Sequence, residues 1–109
     1  MSWTVKYLKA AKKDLVELSG NQKQIVLKAI LKVSQNPLPN YLGGYGKPLG
    51  NKNGNDLAGL YKIKINSIGI RIVYKLIKVG EIMYIIVIGC RADYEVYDEA
   101  QRRKNKFNI

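Results

Sequence analysis

The sequence predicts an α+β fold in which an N-terminal helical hairpin packs on a small antiparallel sheet of about four strands. Two adjacent segments in the first third carry apolar residues at helical spacing. Three later segments are short, rich in Ile and Val, and separated by turn residues. A short alternating segment precedes the helices, so the expected order is β-α-α-β-β-β with a short helix at the C-terminal end.

The N-terminal elements follow from periodicity. Residues 3–7 alternate apolar and polar side chains, as a short strand does. Asn21 and Gln24 resemble a capping box that begins the second helix, and Pro37 ends that helix. The first helix is expected to end at Ser19-Gly20. It is predicted from apolar residues at helical spacing, namely Leu8, Ala11, Leu15 and Leu18.

Residues 37–59 are rich in glycine and proline and are expected to form a long irregular connection. Their glycines lack the spacing of a nucleotide-binding P-loop, which argues against a nucleotide site. The strands of a meander then follow at 60–65, 70–77 and 82–88. The last of these is almost wholly apolar and should be central and covered on both faces. Residues 94–106 have the composition of a short helix.

The size and composition indicate one domain that spans residues 1–109. The chain has no apolar run of about 18 residues, so no contact with a membrane is expected. Its start lacks a signal peptide, and its single cysteine, Cys90, cannot form an internal disulfide. These features predict a cytoplasmic protein.

The charge is strongly positive, with 19 Lys and Arg against 8 Asp and Glu, a formal net charge of +11. Such an excess attracts polyanions, although solubilising lysines or an acidic protein partner would explain it equally well. The absence of histidine removes the commonest acid–base group near neutral pH and the commonest metal ligand. Any chemistry must therefore use Lys, Arg, Tyr, Cys90 or the acidic residues.

A basic cluster is predicted on the sheet. Lys62 and Lys64 are two residues apart on a strand and therefore share a face. The following turn returns Arg71 close to the register of Lys64. Like charges opposed across strands destabilise a sheet, and a bound phosphate would offset this cost. The alternative is an ordinary solvated face, on which exposed lysines are common.

A second group follows the last strand. Arg91 lies where that strand opens into a loop, and Tyr97 follows six residues later. Strand ends on a rigid sheet often carry binding and catalytic groups. The alternatives are a surface ion pair for Arg91 and a packing role for Tyr97.

Several segments together resemble the RelE family of bacterial toxins: Leu60–Lys64, Ser67–Tyr74, Gly89–Arg91 and Glu95–Tyr97. The order of the other elements and Gly46–Leu49 also match the layout of that family, so the resemblance covers nearly the whole chain. The glycine-rich stretch at residues 43–54 is longer than is usual in the family.

The resemblance implies a toxin held inactive by a cognate antitoxin protein. It implies an endoribonuclease that cuts messenger RNA in the decoding site of the ribosome, next to ribosomal RNA. The family's site residues fall on Lys62, Lys64, Arg71, Arg91 and Tyr97, which would promote attack by the RNA 2′-hydroxyl with no metal or cofactor.

Two other functions fit the same composition. The related ParE-like toxins inhibit DNA gyrase and generally lack this set of residues, so the presence of all five favours the nuclease. A basic RNA-binding domain without catalysis would also use the same face.

Overall fold

A computed structural model describes residues 2–52, 54–90 and 93–109. Within them the strands lie in the order β1-β5-β4-β3-β2. The α+β fold, the N-terminal helical pair and the C-terminal helix are confirmed, and the sheet has one strand more than expected. The elements in chain order are β1 Thr4–Tyr7, α1 Lys9–Val16, α2 Gly20–Ser34, β2 Lys47–Lys52, β3 Asn55–Ile65, β4 Ile70–Ile77, β5 Ile82–Gly89 and α3 Asp93–Lys106.

The sheet is mixed rather than wholly antiparallel. Strand β1 pairs in parallel with β5, from Thr4 opposite Ile82 to Tyr7 opposite Ile85, whereas the other strand pairs are antiparallel. The expectation of a purely antiparallel sheet was wrong for this pair. The reason is topological, because the chain passes through two helices and three strands before β5 returns beside β1.

The segment 37–59 is more regular than predicted. It contains a 3-10 turn at Asn40–Leu42 and the strand β2, and β3 begins at Asn55. Strand β2 is an edge strand with a register shift between Pro48 and Gly50. Proline and glycine in a strand obscure its alternation, and both are tolerated at an edge or a bulge. The prediction of an irregular connection was therefore wrong.

Helix α2 begins at Gly20, earlier in the sequence than expected. Its start is a capping box formed by Ser19 and Gln22. The Ser19 hydroxyl accepts a hydrogen bond from Gln22 N at 3.2 Å, and Gln22 Oε1 accepts one from Ser19 N at 3.3 Å. The predicted Asn21–Gln24 box was wrong, because both residues lie inside the helix. Helix α1 correspondingly ends at Val16.

The core lies on both faces of β4 and β5. Four consecutive residues of β5, namely Ile85, Ile86, Val87 and Ile88, are buried, so this strand is covered on both faces as predicted. Among the described residues, no helix is long and apolar enough to cross a membrane.

Candidate functional site

A row of basic residues crosses β3 and β4. Lys64 lies directly opposite Arg71, and Arg71 lies opposite Gly89 of β5. A Cβ atom added at Gly89 would lie 3.0 Å from Cγ2 of Val96 in α3. Because opposed residues share a face, Lys64 and Arg71 lie on the face that carries α3. The predicted pairing of these two cations is confirmed.

The two cations differ in their surroundings. Lys64 is exposed, whereas Arg71 is half-buried. Arg71 Nη1 donates a hydrogen bond of 2.9 Å to Gly69 O, in the turn between β3 and β4. This bond orients the guanidinium at the end of the sheet.

Lys62 connects the row to α3. Its Nζ atom lies 5.9 Å from the centre of the Tyr97 ring, within the range of a cation–π contact. The Tyr97 side chain is 2% exposed, and its hydroxyl oxygen is buried. The sequence placed Tyr97 near the cluster but did not indicate its burial, which depends on how α3 packs.

Arg91 lies outside the described residues. Its place at the end of β5 and its role therefore stay predictions from the sequence.

Lys47 adds a further cation, which was not among the predicted site residues. It is exposed and lies opposite Lys62 at the start of β2. Lys47 lies in Gly46–Leu49, a segment that already matched the family layout. Its position opposite Lys62 could be found only by recognising β2 as a strand.

A buried ionic network attaches α3 to the rest of the fold. Arg103, which is 8% exposed, donates to both carboxylate oxygens of Asp14 in α1 at 2.7 and 3.1 Å. It also donates to Ile86 O at 2.8 Å and to Glu99 Oε2 at 2.7 Å. Asp14 accepts a further bond from Ile88 N at 3.1 Å. One arginine thus joins α1, β5 and α3, and so helps to hold Tyr97 in place.

Arg103 and Glu99 are both charged at neutral pH. Burial lowers the pKa of Arg103, but its hydrogen bonds to Asp14 and Glu99 outweigh this effect and the pKa is raised. The hydrogen bond from Arg102 lowers the pKa of Glu99 against its desolvation, and Arg103 contributes in the same direction. The sequence showed only part of this network, the helical i,i+4 spacing of Glu99 and Arg103.

Two grooves flank these elements. One, of about 380 Å³, lies between α1, the end of β5 and α3, and its wall includes Asp14, Glu95 and Glu99. The other, of about 370 Å³, lies between α2 and β3 and includes Lys62 and Lys64. Among the described residues, the first groove is lined by four carboxylates beside Arg102 and Arg103, whereas the second is lined by lysines and no acidic residue. Of these two grooves, the second therefore suits an anionic ligand better.

Sequence comparison connects the chain with RelE. It is 42% identical over 52 residues to the mRNA interferase toxin RelE of Escherichia coli. The match covers 45% of this chain and 55% of that protein, so it spans about half the length of the relative. No protein family model matches the sequence.

Solved structures extend the likeness to the whole fold. A mutant of the E. coli toxin RelE in the free state is 25% identical with a TM-score of 0.73, and the match covers 94% of this chain and 98% of that one. The chain therefore has the fold of the RelE toxins and resembles RelE in sequence over about half of its length. A mutant of E. coli RelE bound to a peptide of the antitoxin RelB is 25% identical with a TM-score of 0.68, covering 92% and 95% of the two chains.

The structure brings together four of the five predicted site residues. Lys62, Lys64 and Arg71 lie on the α3 face of the sheet, and Tyr97 contacts Lys62. Their catalytic roles remain predictions.

Proposed function

We propose that this chain is the toxin of a toxin–antitoxin pair and cleaves messenger RNA on the ribosome. The observation that carries the proposal is the direct opposition of Lys64 and Arg71, with Lys62 and Tyr97 beside them. An RNA phosphate placed between the two cations would form charge-assisted hydrogen bonds with both of them. The relatives named as mRNA interferases and the RelB-bound structure support the same function.

Phosphate binding is the first step. The formal charge of +11 draws RNA to the protein, and release of counterions makes such binding sensitive to salt. Arg71 offers a planar guanidinium that can hold two phosphate oxygens, and Lys64 adds a mobile charge. Together they fix the scissile phosphate at the end of the sheet.

Cleavage then uses the nucleophile that RNA itself carries. The 2′-hydroxyl loses its proton to a base and its oxygen forms a bond to the adjacent phosphorus. The bond from phosphorus to the 5′-oxygen breaks, and this oxygen takes up a proton. The products are a 2′,3′-cyclic phosphate and a 5′-hydroxyl. Lys64 and Arg71 stabilise the negative charge that develops on the phosphorane.

Tyr97 is the proposed base, with Lys62 as the neighbouring cation. A nearby positive charge favours tyrosinate, whereas burial opposes it. Both the ring and the hydroxyl of Tyr97 are buried, so contact with RNA requires α3 to shift from its present position. Arg91, assigned by resemblance, would neutralise or protonate the leaving oxygen.

The ribosome is the proposed positioning partner. Free tyrosine has a pKa of about 10, so this site is a weak catalyst on unpositioned RNA. Correct orientation of substrate and catalytic groups is worth about 7–11 kcal/mol in favourable cases. We therefore expect slow cleavage of naked RNA and fast cleavage of messenger RNA in the decoding site.

A cognate antitoxin is the second proposed partner. The basic surface suits an acidic or amphipathic segment that competes with RNA for the same cations. Such a segment would silence the toxin by covering Lys64 and Arg71 or by displacing α3.

Purified protein incubated with a defined messenger RNA tests the proposal. Mapping of 5′ ends should reveal cuts when translating ribosomes are present and few or none when they are absent. Lys64→Ala and Arg71→Ala should each lower the cutting rate by about tenfold or more. Lys78→Ala is the matched control, because Lys78 is exposed beyond the other end of β4.

Three outcomes contradict the proposed ribosome-dependent nuclease. Equal cleavage with and without ribosomes removes the positioning role of the ribosome. Intact messenger RNA together with salt-dependent RNA binding indicates a binding domain without catalysis. Induced DNA damage with normal translation indicates a gyrase-directed toxin.

A further inference from the structure

Tyr45 lies at the groove between α2 and β3. Its side chain is 49% exposed, and Lys32 Nζ of α2 lies 5.3 Å from the centre of its ring. The groove encloses about 370 Å³, and among the described residues that line it none is acidic and four are lysines: Lys32, Lys47, Lys62 and Lys64. An exposed aromatic ring in a groove whose charged residues are all basic is the arrangement that single-stranded nucleic acid favours.

The segment that carries Tyr45 is held by backbone hydrogen bonds. Tyr45 N donates to Asn36 O at 2.9 Å, and Asn40 N donates to Gly46 O at 2.7 Å. Asn36 Nδ2 donates to Gly43 O at 3.3 Å. The ring is therefore presented from a defined turn, which lowers the entropy cost of binding a ligand.

The same segment is anchored to the core beside Gly46. The buried hydroxyl of Tyr74 donates to Pro37 O at 2.8 Å. A Cβ atom at Gly46 would collide with this hydroxyl, so only glycine allows so close an approach. Tyr45, the residue before Gly46, is thus fixed relative to β4.

We propose that Tyr45, Lys32 and Lys47 form a nucleotide subsite for single-stranded RNA next to the cleaved phosphate. A base stacks on the Tyr45 ring, and the two lysines bind the phosphates on either side of that nucleotide. Lys64 belongs both to the groove and to the row with Arg71, so one strand of RNA can run from the subsite to the cleavage site. The inference rests on the proposed function for the identity of the substrate.

The subsite gives the long glycine-rich stretch a purpose. Residues 43–46 position the aromatic ring, and β2 places Lys47 opposite Lys62. An acidic protein segment would be attracted by the same lysines, but it would gain little from a flat, exposed ring. RNA uses both features.

A binding experiment tests the subsite. The probe is a short, fluorescently labelled single-stranded RNA with 2′-fluoro groups, which cannot be cleaved by 2′-hydroxyl attack. Tyr45→Ala should weaken its binding by about tenfold, and Tyr45→Phe should bind like the wild type. Lys32→Ala and Lys47→Ala should each lower the salt dependence by about one unit of slope. Tyr41→Ala is the control, because Tyr41 is 74% exposed on the same segment but does not line the groove.

The following results would overturn the proposed subsite. Unchanged RNA binding by Tyr45→Ala overturns the subsite, and so does an equal loss in Tyr41→Ala. If Tyr45→Ala instead weakens binding of an acidic peptide such as polyglutamate and leaves RNA binding unaltered, the groove binds protein and the proposal fails. Unfolding curves for each variant establish that the fold is intact.

Ribosome assays separate this inference from the proposed function. Cleavage by the wild type with no effect of Tyr45→Ala leaves the nuclease standing and removes the subsite. If Tyr45→Ala weakens oligonucleotide binding but the wild type does not cleave, the subsite stands and the nuclease is removed. A Tyr45-dependent loss of binding seen only on programmed ribosomes identifies messenger RNA as the ligand and supports the subsite. The same loss on empty ribosomes identifies ribosomal RNA as the ligand and overturns a continuous path to the cleavage site.

Discussion

The Lys62 ammonium nitrogen lies 5.9 Å from the centre of the Tyr97 ring, and this contact joins β3 to α3. The lysine therefore lies between two groups with different proposed tasks. On one side Lys64 and Arg71 present positive charge for a phosphate, and on the other side Tyr97 is buried. Lys64 is exposed, whereas the proposed base is covered in this conformation.

Tyr97→Phe separates the hydroxyl from the ring. Phenylalanine keeps the packing and the contact with Lys62, so the melting temperature should stay within a few degrees of the wild type. Loss of a general base should lower ribosome-dependent cleavage by about 100-fold or more. Single-turnover cleavage and thermal unfolding measure the two effects. Tyr84→Phe on β5 serves as the control, and a full cleavage rate in Tyr97→Phe would exclude its hydroxyl as the base.

Arg103→Met tests the ionic network that holds α3. The substitution leaves the carboxylates of Asp14 and Glu99 without their shared buried cation, which should cost about 3 kcal/mol in the free energy of unfolding. Urea denaturation measures this loss. Arg102→Met is the matched control, because the Arg102 side chain is 61% exposed and pairs with the same Glu99. Similar losses in both variants would show that burial of Arg103 does not matter.

Acid should weaken the same network. Because the pKa of Glu99 is lower in the folded state than in the unfolded chain, its ionisation stabilises the fold above the unfolded pKa. This contribution is lost as the pH falls from about 4 through the folded pKa. Urea denaturation between neutral pH and pH ~3 should show a smaller acid-induced loss in Glu99→Gln than in the wild type. Identical pH profiles would contradict this role of Glu99.

Tyr74→Phe tests the anchor of residues 37–46. Burial, with a smaller contribution from Tyr61, raises the pKa of Tyr74, so the hydroxyl stays protonated and donates to Pro37 O. Its removal leaves a carbonyl unsatisfied and should cost about 1–3 kcal/mol. Hydrogen exchange at residues 40–46 should become faster while exchange in β5 changes little. Tyr61→Phe, beside Tyr74 in the sheet, is the control.

The Lys64–Arg71 pair was predictable because it depends on local rules. Strand alternation puts Lys62 and Lys64 on one face, and a short turn returns Arg71 beside them. Strand β2 was not predictable from alternation, because Pro48 and its neighbouring glycines interrupt the pattern. The contact between Asp14 and Arg103 spans 89 residues of chain, so only the tertiary packing reveals it. The burial of Tyr97 was hidden for the same reason.

Strand β2 also bears on self-association. An exposed sheet edge can pair with the edge of another copy, and natural proteins shorten or interrupt such edges. Here one edge, β1, has only four residues and includes an exposed Lys6. The other edge contains Pro48, which has no N–H to donate, and a register shift follows it. We therefore expect concentrated protein to resist strand-to-strand aggregation, because the irregular β2 edge disfavours pairing with another copy and so hinders the growth of fibres.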